Sequence, residues 1–178
     1  MKTFAYCCAS YREAVRKAAG VLPMCSPPHT SKSFWIPTLL ENRDLLYFDL
    51  HGHAGDAQWY GDNALVALRA SQIRGADLGG AVVFAANCYL SDDDSPMLDA
   101  LLDAGASWVV GGQGPNYGAK GERLVGANLL GMWFHRLLEL GFDVLDALRL
   151  AKARMLASRW VWMQANRDAR AFRAYHRI

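Results

Sequence analysis

The sequence predicts an α/β fold in which a mostly parallel sheet is covered on both faces by helices. Two stretches, Leu45–Leu50 and Ala81–Ala86, are of strand length and apolar almost throughout. Such runs mark strands buried on both faces, whereas half-exposed strands alternate. A third run, Ser107–Val110, closes at Gly111-Gly112 directly after a helix-like segment, Pro96–Ala104, that ends at Gly105. Strands that alternate with helices pair in parallel, because a parallel neighbour needs a crossover connection.

The remaining elements follow in chain order. Phe4–Ala9 is short and apolar and reads as the first strand, and Tyr11–Ala19 carries helix formers stopped by Gly20. Leu22–Trp35, with Pro23, Pro27 and Pro28 among serines and threonines, reads as loop. Ile36–Asn42 is a candidate short helix. Ala57–Leu68 places Gly61-Asp62-Asn63 between two apolar pieces, the pattern of a small β-hairpin. Ala70–Gly75 fits one or two helical turns. Glu122–Leu140 is apolar nearly all round, as in a well-covered helix. Val144–Met163 repeats Leu145, Leu148, Ala151, Met155 and Leu156 at spacings of three and four. At the end, Phe172, Ala174, His176 and Ile178 alternate with Arg173, Tyr175 and Arg177. A period of two favours a final strand, with a continued helix as the alternative.

The 178 residues fit one domain, 1–178, large enough to bury its own core. The composition, 52% hydrophobic and 20% charged with a formal net charge of +2, lacks the clustered basic excess of a nucleic-acid binder. Basic residues thicken from Arg149 through Arg177, which fits a solvated helix face. No apolar run approaches the ~20 residues of a membrane span, and no secretory h-region follows Met1-Lys2-Thr3. Cys7, Cys8, Cys25 and Cys88 show neither a disulfide framework nor CxxC zinc spacing. The expectation is a cytoplasmic protein with reduced thiols, no cofactor, and neither nucleic acid nor membrane as partner.

In parallel sheets, catalytic groups gather at the carboxyl ends of strands. Leu45–Leu50 runs into His51-Gly52-His53, and Ala81–Ala86 into Asn87-Cys88-Tyr89. If the two strands are neighbours, a thiol and an imidazole share one rim. Cysteine hydrolysis requires a sulfur nucleophile and a histidine that takes its proton and later protonates the leaving amine. It also requires backbone N–H groups facing the oxyanion. A single buried cysteine is more often a packing residue, and a single histidine more often a hydrogen-bonded structural one. Both together at strand ends favour function.

These segments resemble the caspase-like cysteine peptidases, the clan of caspases, gingipains and separases. Leu46–His53 is similar to their strand-then-His-Gly signature, and Val82–Tyr89 to their strand-then-Cys signature. Within the clan, the CHAT group is most alike. Met97–Val110 resembles its helix, Gly-Ala step and valine-rich strand, Gly111–Asn116 its cleft loop, and Phe142–Arg154 its late Ala-Leu-Arg helix. The resemblance implies a three-layer sandwich and endopeptidase activity through a thioester, with Cys88 as nucleophile and His51 as general acid/base. It implies an oxyanion hole from the Gly52 and Cys88 amides, and a dyad with no obligatory third side chain. Substrate contacts would come from Asn87, Asp92, Gly112, Gln113 and Asn116. The partners implied are a protein or peptide substrate and a regulatory repeat domain or partner protein. A catalytically silent interaction module of the same fold is the competing expectation. Tyr89-Leu90-Ser91-Asp92 stands where the clan often has a small residue and glycine, and Ala86 where some relatives place an acidic specificity residue.

Three lesser features need an account. Asp92-Asp93-Asp94 precedes a helix and fits a solvated cap, or else a group that recognises a basic side chain before the scissile bond. Asp49, His51 and His53 alternate along one strand and invite a metal reading, although few further ligands are in prospect. Gly111–Lys120 is glycine-rich but lacks the Gly-Lys-Ser/Thr ending of a phosphate loop, so it reads as a mobile cleft wall. Trp160 and Trp162 read as packing aromatics.

Overall fold

The structure is a computed structural model that describes residues 1–26, 37–118, 120–121, 123–157, 167 and 169–176. Strand β1 (Thr3–Cys8) is followed by a 3-10 turn and helix α1 (Arg12–Ala19), which ends on Gly20 in the left-handed region at φ 67°. Next come β2 (Met24–Ser26), a 3-10 turn at Pro37–Leu39, and β3 (Leu45–Asp49). The hairpin is β4 (Gln58–Tyr60) and β5 (Val66–Arg69), joined by a turn at Asp62–Ala64 and continuing into helix α2 (Ala70–Ile73). Then follow β6 (Val82–Ala85), α3 (Pro96–Asp103), β7 (Trp108–Gly112), α4 (Gly126–Glu139), α5 (Val144–Ala157) and β8 (Phe172–His176).

Six strands form the main sheet in the order β2-β1-β3-β6-β7-β8. The first five run parallel, and β8 is antiparallel to β7, from Trp108↔His176 to Gly112↔Phe172. The alternation in the last residues therefore marks an edge strand. Its Phe172 is fully buried, with its ring 5.4 Å from Phe84.

The apolar strands bury both faces, as their composition requires. Leu46 and Phe48 of β3, and Leu50 just after it, pack on one side with Ile73, Met97, Leu101 and the hairpin residues Trp59 and Leu68. Leu45 and Tyr47 pack on the other with Val15 of α1, Leu130 and Phe134 of α4, and Leu148 and Met155 of α5. The molecule is thus the three-layer α/β sandwich expected. On the second side α4 sits very close to the sheet. A Cβ on Gly131 would lie 2.5 Å from the Tyr47 hydroxyl, so only glycine allows that approach.

Three expectations are corrected. Met24–Ser26 lies within the stretch read as loop, yet it pairs in parallel with β1 from Tyr6↔Met24 to Cys8↔Ser26. Three residues beside prolines are too short to show a period. Helix α4 begins at Gly126 rather than near residue 122, after an extended N-cap at Val125. The α3 cap is Ser95, whose hydroxyl accepts from the Leu98 N–H at 3.3 Å, and not one of the aspartates before it. Most of the proline-rich stretch, the end of the Val144–Met163 pattern, and Trp160 and Trp162 lie outside the described residues. Among the described residues no helix is long and apolar enough to cross a membrane.

Candidate active site

Strands β3 and β6 are adjacent and parallel, paired from Leu45↔Val82 to Phe48↔Ala85. His51 and Cys88 each lie three residues beyond the last paired positions, Phe48 and Ala85. Beyond Ala85 the ladder gives way to a side-chain clamp, in which the Leu50 N–H donates to Asn87 Oδ1 at 3.0 Å. Past that clamp the two loops touch. A Cβ on Gly52 would lie 2.4 Å from the Cys88 carbonyl oxygen, so the His-Gly step is required by backbone approach.

The chain turns sharply after Cys88. Tyr89 has φ 61°, a left-handed conformation uncommon for a residue with a side chain, and its N–H donates to the Gly114 carbonyl at 2.8 Å. The turn leaves the Cys88 side chain half-buried on the rim. There the Asn116 N–H donates to Sγ at 3.3 Å, and the thiol donates to the Asn116 carbonyl at 3.5 Å.

His51 is held by its main chain. Its N–H and C=O each bond to Tyr60 of β4 at 2.8 Å, so the hairpin fixes where the imidazole sits. The ring also meets Tyr11 edge-on, with centroids 5.7 Å apart. Burial, with smaller contributions from Asp49, Cys8 and Cys88, pushes the Tyr11 phenol up to about 12.

Two residues around His51 have no functional reading in the sequence. Cys8 Sγ, a His51 ring nitrogen and an Asp62 carboxylate oxygen all lie within 4.8 Å of one another. Cys8, from the end of β1, donates to the Tyr60 carbonyl at 3.6 Å, and burial together with Asp49 and Asp62 pushes its thiol up to about 12. Asp62 is the hairpin-turn residue. It accepts from the Ser10 hydroxyl at 2.7 Å and the Ser10 N–H at 3.3 Å. Burial works to raise its carboxyl, but bonds from Ser10 and Ala9 and the charge of His51 outweigh it and hold the group below its usual range. Turn chemistry alone accounts for an aspartate in Gly61-Asp62-Asn63, so nothing in the sequence marks it out.

The Asp49/His51/His53 array is not assembled. Asp49 is buried on the α4 side of the sheet, where Asn128 Nδ2 donates to it at 3.0 Å and Tyr47 in turn donates to Asn128 Oδ1 at 2.9 Å. Burial raises its carboxyl to about 7, against the Asn128 bond. His53 is exposed beside the Tyr60 ring, 5.2 Å between centroids. Residues 49 and 53 diverge because the chain leaves the strand after Asp49.

The expected substrate contacts fall into two groups. Asn87 is fully buried and serves as a clamp. Its Oδ1 holds Leu50, its carbonyl accepts from Asn116 Nδ2 at 2.6 Å, and its own Nδ2 has no partner among the described residues. Gly112 is likewise buried, packed so closely on the Asn116 side chain that a Cβ would lie 2.2 Å from it. Gln113 and Asp92, by contrast, line a pocket of about 500 Å³ with Ala54, Gly55, Asp93 and Asp94. Asp92 also accepts from the Gly114 N–H at 2.8 Å, which ties the glycine-rich loop to the segment after Cys88.

No family model and no curated protein matches the chain. Its solved structural neighbours include two crystal structures of the Saccharomyces cerevisiae separase–securin complex. They superpose with TM-scores of 0.60 and 0.58, at 12% sequence identity and over 98% of this chain. The chain has a caspase-like fold. It spans 12% of the length of the separase chains it matches. A phosphomethylpyrimidine kinase from Clostridium difficile aligns at 10% identity over 89% of this chain and all of its own, with a TM-score of only 0.42. Within the caspase-like fold, the rim carrying His51 and Cys88 is where a parallel sheet offers its chemistry.

Proposed function

We propose that the chain is a cysteine peptidase domain of the CHAT type, with Cys88 as nucleophile and His51 as general acid/base. The observation that supports this reading is the close approach of the two strand-end loops, in which Gly52, next to His51, is pressed on the Cys88 carbonyl beyond the paired strands β3 and β6. His51 takes the thiol proton, and the thiolate attacks the substrate carbonyl. The Gly52 and Cys88 amides hold the oxyanion. Collapse breaks the C–N bond as the imidazolium protonates the departing amine, leaving a thioester on Cys88. His51 then takes a proton from water, the hydroxide attacks the thioester, and the acid product leaves as the thiol is restored. The pocket lined by Asp92, Asp93, Asp94 and Gln113 suits a basic side chain next to the scissile bond.

The test is covalent labelling by an electrophilic peptide ketone, read by mass spectrometry. Wild-type protein is expected to gain one adduct on Cys88, faster with Arg or Lys before the ketone than with Glu, and Cys88→Ala none. An unlabelled wild type that also cleaves no member of a peptide library refutes the peptidase reading.

One observation favours a second reading, a silent interaction module. Asn116 contacts the sulfur through both its N–H and its C=O, and its side chain is locked onto Asn87. A module of this kind binds its protein partner equally well after Cys88→Ala.

A further inference from the structure

The sheet order places β1 between β2 and β3, so the chain leaves β1 toward one edge and then builds from β3 toward the other. At such a reversal the carboxyl ends of the two central strands splay and open a crevice. The ends of β1 and β3 here deliver Cys8, Ser10 and His51, and the hairpin turn folds over to add Asp62. The four belong to three segments that the β1–β3 pairing and the His51–Tyr60 bridge bring to one rim.

We propose that Asp62 is the positioning residue for His51: anchored by Ser10, its carboxylate selects the imidazole tautomer that turns a bare nitrogen toward Cys88 and balances the imidazolium formed during turnover. The role in turnover rests on the peptidase reading above, whereas the tautomer does not.

Three observations support the assignment. Asp62 is immobilised, with the Ser10 hydroxyl on Oδ1 and the Ser10 N–H on Oδ2. A carboxylate fixed by such donors needs little reorganisation when a cation forms beside it. Distance is the second. The carboxylate oxygen lies within 4.8 Å of a His51 ring nitrogen, and catalytic contacts in unliganded sites are often loose. Finally, among the described residues the titratable groups found against His51 are Cys8 from β1, Tyr11 after it and Asp62 from the hairpin. Burial keeps Cys8 and Tyr11 protonated at neutral pH, while Asp62 is held ionised. Asp62 is the group able to accept an imidazole N–H with its full charge. The dyad implied by the caspase-like resemblance thus gains a carboxylate from an unexpected place, the turn of the hairpin.

The experiment compares wild type with Asp62→Asn, Asp62→Glu and Ser10→Ala, each checked for folding by circular dichroism. Nitrogen-15 shifts of the His51 ring read the tautomer without requiring activity. Wild type is expected to show one tautomer, Asp62→Asn a mixture, and Asp62→Glu recovery of the wild-type pattern. On a cleaved peptide, kcat should fall at least about tenfold in Asp62→Asn with KM changed less than about threefold. Ser10→Ala, which keeps the carboxylate but frees it, should fall between. An unchanged His51 tautomer in folded Asp62→Asn overturns the proposal. So does stoichiometric zinc binding that is lost in Cys8→Ser, since the three side chains would then be metal ligands. If no variant cleaves any peptide, the ring shifts still decide the role of Asp62, and Cys88 labelling separately decides the peptidase reading.

Discussion

Replacing Asp49 by asparagine tests the account of the buried network behind the site. Asp49 sits 5% exposed beneath α4, with Asn128 Nδ2 as its donor, and its carboxyl is raised from 3.8 to about 7. A carboxyl raised on folding binds its proton more tightly in the native state. Its contribution is therefore fully present below pH ~4 and drains away as pH rises, with the loss complete just above 7. Three pH units at about 1.4 kcal/mol each make the whole effect on the order of 4 kcal/mol. About 3 kcal/mol of that falls between pH 5 and pH 8. The amide in Asp49→Asn keeps an acceptor for Asn128 and cannot ionise, so the variant should lack this slope. Denaturant unfolding of both proteins at pH 5, 6, 7 and 8 gives the difference directly, because titration of other groups cancels. Wild type should lose ground steadily against Asp49→Asn as pH rises. Parallel stability curves would show that Asp49 is solvated or paired, and the argument from burial would fail.

Two further substitutions address the rim and the sheet edge. Gly52→Ala introduces a methyl 2.4 Å from the Cys88 carbonyl, and the loops must separate. A cost of about 1–3 kcal/mol is expected, with Cys88 labelling slowed more than about tenfold; native melting temperature with native labelling contradicts the close approach. Phe172→Ala removes a fully buried ring stacked on Phe84 and should cost about 3–5 kcal/mol in denaturant unfolding. A loss below about 1 kcal/mol would mean that β8 is not packed on the sheet.

What the sequence made legible follows from how each element gains its stability. Strands β3, β6 and β7 are buried on both faces, so their residues had to be apolar without interruption and could be seen. Strand β2 gains its place by backbone bonds to β1 along three residues, and backbone bonding leaves no composition to detect. Helix α4 begins at Gly126 although the apolar pattern starts earlier; Leu124 before it packs on the core without being helical, and Val125 is an extended N-cap. At the site, His51, Gly52 and Cys88 stand out because each follows an apolar strand closely. Asn87 reads as a substrate contact since it adjoins Cys88, yet its side chain turns inward to bridge Leu50 and is fully buried. Adjacency in sequence locates a residue along the rim and does not say which way it faces.

The same distinction explains why the candidate nucleophile was easier to find than its surroundings. A parallel pair carries one register, and any residue a fixed number of steps beyond it is placed by that register alone. His51 and Cys88 lie a few residues beyond such a pair, although His51 is finally fixed by its main-chain bonds to Tyr60. Asp62, Ser10 and Asn116 reach the rim by other routes: a hairpin folded back through Tyr60, the turn after β1, and a glycine-rich loop tied down by Asp92 and by Tyr89. Each route depends on a bond between segments whose sequences carry no mark of it. Those bonds also decide what the thiol meets. Asn116 reaches Cys88 through its own main chain, and its side chain is held by the Asn87 carbonyl. On the proposed peptidase reading, a substrate approaching the sulfur would have to displace or share the Asn116 contact. The fully buried clamp residue Asn87 holds the Asn116 side chain through its carbonyl and so bears on how firmly that contact is held.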